Sequence, residues 1–402
     1  MKGLNGLKKL LLLSSIYLNI LASNELVDIL STNQNALIET QKAKAEIESN
    51  KLKNSWINPI VVQYSRNYSN QFDNIIGTGQ FIISIDQPIF KMGGIWEAIK
   101  YAEVLGEVNS IDIEIQKRGL IQKALSILFN LQKLKLQIEK LNLLIKNDEL
   151  DILIQKQSYE AGLTNRTLYD KAILKRNQDI TSKLELEMQI TKLRNDFSLL
   201  SDSSPEDIRL PYFTIIDRNR YEEKQLELKR DRLHLQKTEH YKFMTLTKYL
   251  PEISITGRYI NEDKNPLFAH SKIKTEYYNY GFKVSLPINI NSYKDIETSK
   301  IDYLNAKIAL DERKKMVINE YNLIKKRLEI IDQKIALSID DATNYESMLN
   351  IARESEKIGD STNYDTEIIE NNLKVRLLDQ EIYRYDAQLE LLTLYVKVAD
   401  SL

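Results

Sequence analysis

The chain has 402 residues, with 56 Lys and Arg against 57 Asp and Glu, so its formal net charge is −1. That balance excludes a nucleic-acid protein held by bulk charge, and the complete lack of cysteine excludes disulfides, thiolate metal sites, cysteine nucleophiles and cysteine lipidation. Only 12 Gly and 7 Pro are present, far below the usual share of roughly 7% and 5%, which leaves room for very long helices and argues against a β-sandwich or a many-looped enzyme.

In chain order, Lys2, Lys8 and Lys9 precede an apolar run from Leu10 to Leu21, and Ala22 and Ser23 supply small residues after it. This is the layout of a signal peptide over residues 1–23, with the mature chain expected to begin near Asn24 or Glu25. Beyond that leader no apolar run reaches 18 residues, so no helical membrane span is expected. A first helix is predicted from about Glu25 to Asn54, followed by two β-runs. In the first run, about Ile57 to Tyr68, Ile60, Val62 and Tyr64 share a face. In the second, Phe81, Ile83 and Ile85 alternate with Gln80, Ser84 and Asp86, and Ile82 is the exception.

A long helix follows, from about Met92 to Ser158. Its residues Leu120, Ala124, Ile127, Leu131, Leu134, Ile138, Leu141 and Ile145 alternate spacings of four and three, the heptad seam of a coiled coil. At 1.5 Å per residue such a helix is about 100 Å long. Gly162 then reverses the chain, because glycine adopts positive φ cheaply, and a return helix ends near Ser201. Residues 204–217, with Pro205 and Pro211 and no clear period, read as a crossover linker.

The same order then repeats. A shift of 197 positions carries the seam onto Val317, Tyr321, Ile324, Leu328, Ile331, Ile335, Ser338 and Ala342, and carries Gly162 onto Gly359. A helix from about Arg218 to Thr247 leads to two more β-runs. In one, Ile253, Ile255, Gly257 and Tyr259 face away from Glu252, Ser254, Thr256 and Arg258. In the other, Tyr278, Tyr280, Phe282 and Val284 face away from Asn279, Gly281, Lys283 and Ser285. Pro59 and Pro251 stand at strand entrances, Pro88 and Pro287 at exits, where proline is tolerated. The expected organisation is therefore a first repeat over 24–203, with a β-hairpin at about 56–88 and a helical hairpin at about 92–201. After the linker comes a second repeat over 218–402, with hairpins at about 251–287 and 292–402.

Each β-run has one apolar, aromatic face and one polar face. Two readings fit: a small water-soluble sheet packed on helix ends, or transmembrane strands with a lipid-facing side. Trp56, Tyr64, Tyr259, Tyr278 and Tyr280 cluster near these runs, and such rings favour a membrane interface. Four strands cannot close a barrel, and open edges in lipid cost several kcal/mol per unpaired backbone group. Spanning strands would have to be shared between copies, three of which supply twelve.

The duplicated helix–strand–strand–helix–helix order resembles the TolC family of outer-membrane efflux proteins over essentially the whole mature chain. Three local patterns carry the resemblance: Tyr249-Leu250-Pro251-Glu252-Ile253-Ser254 at a strand entrance, Gln87-Pro88-Ile89-Phe90-Lys91-Met92-Gly93-Gly94 at a strand exit, and Tyr159-Glu160-Ala161-Gly162-Leu163 at a helix tip. The resemblance implies a mainly α homotrimer, with a twelve-stranded barrel in the outer-membrane lipid and a coiled-coil tunnel in the periplasm. It implies a passive exit duct of a tripartite efflux or type I secretion system, served by an inner-membrane transporter and a periplasmic adaptor. Drugs, metal ions and secreted proteins all remain open as cargo. It places adaptor docking at Gly162, Leu163 and Gly359, a tunnel constriction at Asp365 and more weakly Asp170, and a barrel lumen at Arg258 and Lys283. Two departures stand out: the second strand exit, Leu286 to Tyr293, lacks the glycine pair, and the second tip has Asp360 where the first has Leu163.

Nothing points to catalysis. His234 and His240 are six apart on a predicted helix, not the three or four that share a face, and His270 lies in the loop 261–274. No phosphate-binding glycine loop or nucleophile elbow occurs, so no enzyme activity, cofactor, resident metal or nucleic-acid partner is expected. A periplasmic coiled-coil adaptor is the runner-up, although it would carry one helical hairpin, not two. A secreted coiled-coil structural protein would not need the paired strands.

Overall fold

The computed structural model describes residues 29–72, 74–264, 272–358 and 362–400. The predicted leader, His270, Gly359 and Asp360 lie outside the described residues. The elements are α1 Thr32–Lys53, β1 Val61–Phe72, β2 Asn74–Phe90, α2 Gly94–Glu160, α3 Arg166–Ser198, α4 Arg218–Lys224, α5 Leu226–Thr247, β3 Glu252–Glu262, β4 Glu276–Ser285, α6 Ser292–Ile358 and α7 Asn363–Tyr395. The two long helices, α2 and α6, are both 67 residues, and the two return helices, α3 and α7, are both 33.

The strands form one antiparallel sheet in the order β1-β2-β3-β4. Side chains on a strand alternate between faces, so the register fixes which residues share a side. One face carries Val62, Tyr64, Phe81, Ile83, Ile85, Ile255, Tyr259, Tyr278, Tyr280 and Phe282. The other carries Gln63, Ser65, Ser84, Asp86, Thr256, Arg258, Asn279 and Lys283. Ile82 lies on the polar face directly opposite Ile260, which is only 4% exposed, so the exception in the alternation is the half-buried partner of a buried isoleucine.

β1 begins four residues later than the sequence suggests. Residues 57–60 are tethered as a lead-in: Asn58 N donates to Gln87 Oε1 at 2.9 Å, and Gln87 Nε2 donates to the Trp56 carbonyl at 3.1 Å. The strand instead runs on through polar residues, because backbone pairing of Asn67 to Thr78 and Tyr68 to Gly77 continues there. A Cβ at Gly77 would meet Tyr68 Cε1 at 2.9 Å, so the tyrosine ring lies in the space that glycine leaves free.

The chain forms two compact units that each draw on both sequence repeats. One comprises Thr40–Ile113 and Leu228–Lys314, and the other comprises the described parts of Met1–Glu39, Glu114–Glu227 and Lys315–Leu402. In the sheet-bearing unit, ion pairs join helix to helix, Lys53 to Glu103 at 3.3 Å and Arg313 to Asp231 at 2.9 Å, and the turn after β2 to β3, Lys91 to Glu252 at 3.0 Å. In the other unit the predicted seams are the core. On α6, Val317, Tyr321, Ile324 and Ile331 are buried while Met316, Leu323, Ile330 and Leu337, seven apart, are exposed. On α2 a wider stripe is covered, adding Ile121, Leu125, Leu128 and Phe129 to the seam.

Gln225, the residue between α4 and α5, marks where the second unit is knotted to its own C-terminal end. Leu226 N donates to the Lys397 carbonyl at 2.8 Å and Ala399 N to the Lys224 carbonyl at 3.0 Å, a short antiparallel bridge. Val398 enters a core of Ile216, Tyr221, Val317, Tyr321, Ile324 and Leu394. Arg118 holds this segment from α2: its side chain is 6% exposed, and it donates to the carbonyls of Val398 at 2.5 Å and Ala399 at 2.6 Å and to Glu114 Oε1 at 2.7 Å. The linker is docked as well. Gln388 accepts from Phe213 N at 2.7 Å and donates to its carbonyl at 3.1 Å, standing in for a strand partner. Hydrogen bonds to a charged donor contribute about 1.5–3 kcal/mol each, so Arg118→Ala is expected to cost about 3 kcal/mol. The check is a lowered thermal midpoint together with faster hydrogen exchange at the Leu226 and Ala399 amides. Unchanged exchange there would show that the knot holds without Arg118.

Candidate functional site

Arg258 and Lys283 both sit on the polar face of the sheet. Arg258 lies between Ser84 on β2 and Asn279 on β4, and Lys283 lies opposite Ser254. Lys283 makes an ion pair with Asp86 on β2. An open cavity of about 530 Å³ on the sheet is lined in part by Asn58, Ser84, Asp86, Thr256, Arg258 and Asn279.

The opposite face is exposed and aromatic. Tyr259 is paired directly with Tyr278, and Tyr278 stacks on Tyr280 with ring centroids 6.3 Å apart and planes 20° apart. Tyr64, Tyr278, Tyr280, Phe282 and Val284 are all exposed on this side. Trp56 precedes β1 and lies on no strand. Among the described residues, β1 and β4 each have a strand partner on one side only.

The first helical tip is closed by a complete Schellman arrangement. Gly162 takes φ 72°, its N–H donates to the Tyr159 carbonyl at 3.0 Å, and Leu163 N donates to the Ser158 carbonyl at 2.9 Å. Leu163 is left 81% exposed. Asn165 then caps α3 by accepting from Leu168 N at 3.3 Å.

The second turn is one residue shorter, and there Thr362 and Asp365 form a capping box. Asp365 N donates to Thr362 Oγ1 at 3.3 Å, and Asp365 Oδ2 accepts from Thr362 N at 3.2 Å and Thr362 Oγ1 at 2.7 Å. The return helices keep the 197-residue shift, so Leu168 is the repeat counterpart of Asp365. Asp170 lies elsewhere in its repeat and pairs with Arg166 at 3.6 Å on the surface of α3.

A buried polar cluster in this unit was missed by the sequence reading. Asp148 on α2 is 1% exposed and accepts from Lys175 Nζ at 2.6 Å. Beside it, Asn371 Nδ2 donates to Asn147 Oδ1 at 2.8 Å, Asn147 Nδ2 donates to Asn372 Oδ1 at 3.0 Å, and Lys140 pairs with Asp379 at 2.6 Å. The signal was present, because Asp148 is the next position of the heptad seam after Ile145. A polar residue there fixes helix register at some cost in stability. Burial pushes the Asp179 carboxyl above the usual carboxylate range, and the neighbouring Asp148 carboxyl adds to the rise.

His240 Nδ1 lies 2.8 Å from Glu97 Oε2, and burial with Lys237 nearby pulls His234 down. Among the described residues no group of three or more His, Asp or Glu is placed to hold a metal ion.

No family model matches the sequence, and no curated protein matches it either. Solved structures do match the fold. The outer membrane protein VceC of Vibrio cholerae matches at TM-score 0.75 and 12% identity, over 93% of this chain and 96% of that one. The CmeC outer membrane channel of Campylobacter jejuni matches at 0.72 and 14%, over 93% and 84%. The MtrE outer membrane channel of Neisseria gonorrhoeae, in its open state, matches at 0.67 and 12%, over 92% and 87%. The chain thus has the fold of these outer-membrane channel proteins, the fold that the TolC resemblance implied.

The Asp179 shift sets a pH dependence. Its folded-state pKa is raised, so the folded chain binds this proton more tightly than the unfolded chain does, and stability falls as pH rises from the ordinary carboxylate value through the raised one. Asp179→Asn is therefore expected to raise the thermal midpoint at neutral pH. The difference from the parent should shrink on acidification, as the parent's carboxyl takes up its proton. A midpoint difference that is constant with pH would refute the assignment.

Proposed function

We propose that this chain is an outer-membrane exit duct, assembled as a trimer and conducting cargo passively from an inner-membrane transporter and a periplasmic adaptor to the outside. The observation that carries the reading is the sheet: one exposed, mainly aromatic and apolar face on which Arg66 lies over the Tyr68 ring, one polar face and two long open edges, within the fold of outer-membrane channels. In lipid an unpaired edge costs several kcal/mol per backbone group, and a closed barrel removes the cost. β4 of one copy meeting β1 of the next would close twelve strands, with the tyrosine face toward lipid and the Arg258 face toward the lumen. No described helix is long and apolar enough to cross a membrane.

The exposed stripe Met316, Leu323, Ile330 and Leu337 has the seven-residue spacing of a second coiled-coil seam and suits a neighbouring copy. Leu163, held out by the Gly162 turn, suits the adaptor, with Gly359 at the other tip. Asp365 and Asp170 are the constriction candidates. Asp365 is already engaged in its cap, so its charge would act from a fixed position.

Full-length protein expressed in a Gram-negative host should fractionate with outer membranes. After detergent extraction it should run unheated, and weigh by mass photometry, as a trimer. A soluble periplasmic monomer would mean that the sheet is water-soluble and the reading is wrong. A β-branched residue at φ 72° is strained by about 1–2 kcal/mol. Gly162→Val is accordingly expected to abolish complementation of an efflux-deficient host while leaving the trimer intact. Full resistance in that variant would remove the tip from the docking surface.

A further inference from the structure

We infer that Arg258 places a locally unpaired positive charge on the barrel wall and makes that level of the lumen an anion-attracting station, suited to cargo that bears carboxylate or phosphate groups. The inference deepens the duct reading and rests on it. Sequence alternation treats Arg258 and Lys283 alike, since both fall on polar strand positions. The structure separates them. Lys283 is neutralised across the sheet by Asp86, and Glu252 is neutralised by Lys91 at 3.0 Å. Glu262 lies two polar-face positions beyond Arg258, toward the β3–β4 loop, and holds the neutral Gln80 Nε2 at 3.0 Å, so it marks a separate, anionic level of the same face. Arg258 has an exposed side chain, neutral neighbours on both flanking strands and no ion-pair partner among the described residues.

The contrast with Arg118 shows what a structural arginine looks like in this chain: buried, with three hydrogen bonds to fixed acceptors. Arg258 has none of these, and its guanidinium borders the open cavity of about 530 Å³ beside Ser84, Thr256 and Asn279. Three copies around an axis would place three such groups on one lumen. A ring of like fixed charges raises the local concentration of the opposite ion and excludes its own sign. Guanidinium also binds carboxylate and phosphate in bidentate fashion, so solutes bearing those groups are the class expected to be favoured.

Because the chain has no cysteine, a single thiol can report the local potential. Asn279 is directly opposite Arg258 on β4, and Asn279→Cys puts the probe there. The trimer in outer-membrane vesicles is treated with an anionic sulfonatoethyl or a cationic trimethylammonioethyl methanethiosulfonate, and the ratio of the two rates is read. Adding Arg258→Gln should lower the anionic-to-cationic ratio about tenfold, the effect of one charge at a few ångströms in a watery lumen on two probes of opposite sign. Arg258→Lys should keep the ratio. Asp86→Asn, which frees Lys283, should raise it.

A ratio unmoved by Arg258→Gln overturns the inference and leaves the duct intact. A thiol that neither reagent reaches in the vesicles, yet reacts after denaturation, overturns the duct reading itself, because the polar face is then not water-filled.

Discussion

Backbone hydrogen bonding at the two open edges of the sheet constrains everything else about this chain. β1 and β4 are 12 and 10 residues long, and among the described residues each has a strand partner on one side only. Natural sheets blunt such edges with charge, proline, bulges or cover. Here the edges carry Tyr64, Tyr278, Tyr280 and Phe282 on one face, which invites further pairing. A four-stranded sheet cannot satisfy itself by curling, so in the proposed duct completion comes from other copies. The helical part carries the same incompleteness: α6 buries one heptad stripe and leaves a second, Met316 to Leu337, uncovered. In the proposed duct, sheet and helices are completed by one act of assembly.

Charge in this chain is handled in two distinct ways. Where a charged group is taken out of water, it is paired: Arg118 by two carbonyls and Glu114, and Asp148 through one carboxylate oxygen by Lys175, its other oxygen having no hydrogen-bond partner among the described residues. Desolvating an ion costs several kcal/mol and is tolerated only with such partners. What these groups add is position. Arg118 fixes the C-terminal segment against the break at Gln225, and Asp148 interrupts an apolar seam that could otherwise slide by a heptad. On the polar face of the sheet the logic is reversed. Charge there stays hydrated, and its effect depends on what is left over after local pairing. Asp86 cancels Lys283, and among the described residues Arg258 and Glu262 are left without an ion pair, two polar-face positions apart.

The parts of the fold that were legible in the sequence are those written as a period. The seam from Leu120 to Ile145 and its image from Val317 to Ala342 located both long helices to within about two residues, because few glycines and prolines interrupt them. β3 and β4 followed from strict alternation. β1 was misplaced by four residues because Ser65 to Asn70 is polar on both faces apart from Tyr68, so alternation is silent where the backbone ladder continues. Asp148 was missed because a seam is recognised by its apolar members, and the reading stopped at the last one. Asp365 was legible twice over: Thr362-x-x-Asp365 is a capping pattern in its own right, yet the resemblance drew attention to a tunnel charge first.

The solved channels that share this fold are only 12–14% identical to the chain, and the nature of the constraints explains how that is possible. A heptad seam or an alternating strand asks for apolar residues at intervals, and many residues of about the right size satisfy it. Such positions drift freely while the architecture stays. Positions outside the period have no such freedom, because each answers a single geometric or electrostatic demand. Gly162 does so through its positive φ, Arg118 through its fork onto two carbonyls, and Asp148 through a buried charge that Lys175 offsets. Arg258 belongs with them in being unexplained by any period, but no structural demand holds it in place. In the proposed duct, a residue that neither the period nor the packing requires, on a strand that faces open space, is where the function of the wall is to be sought.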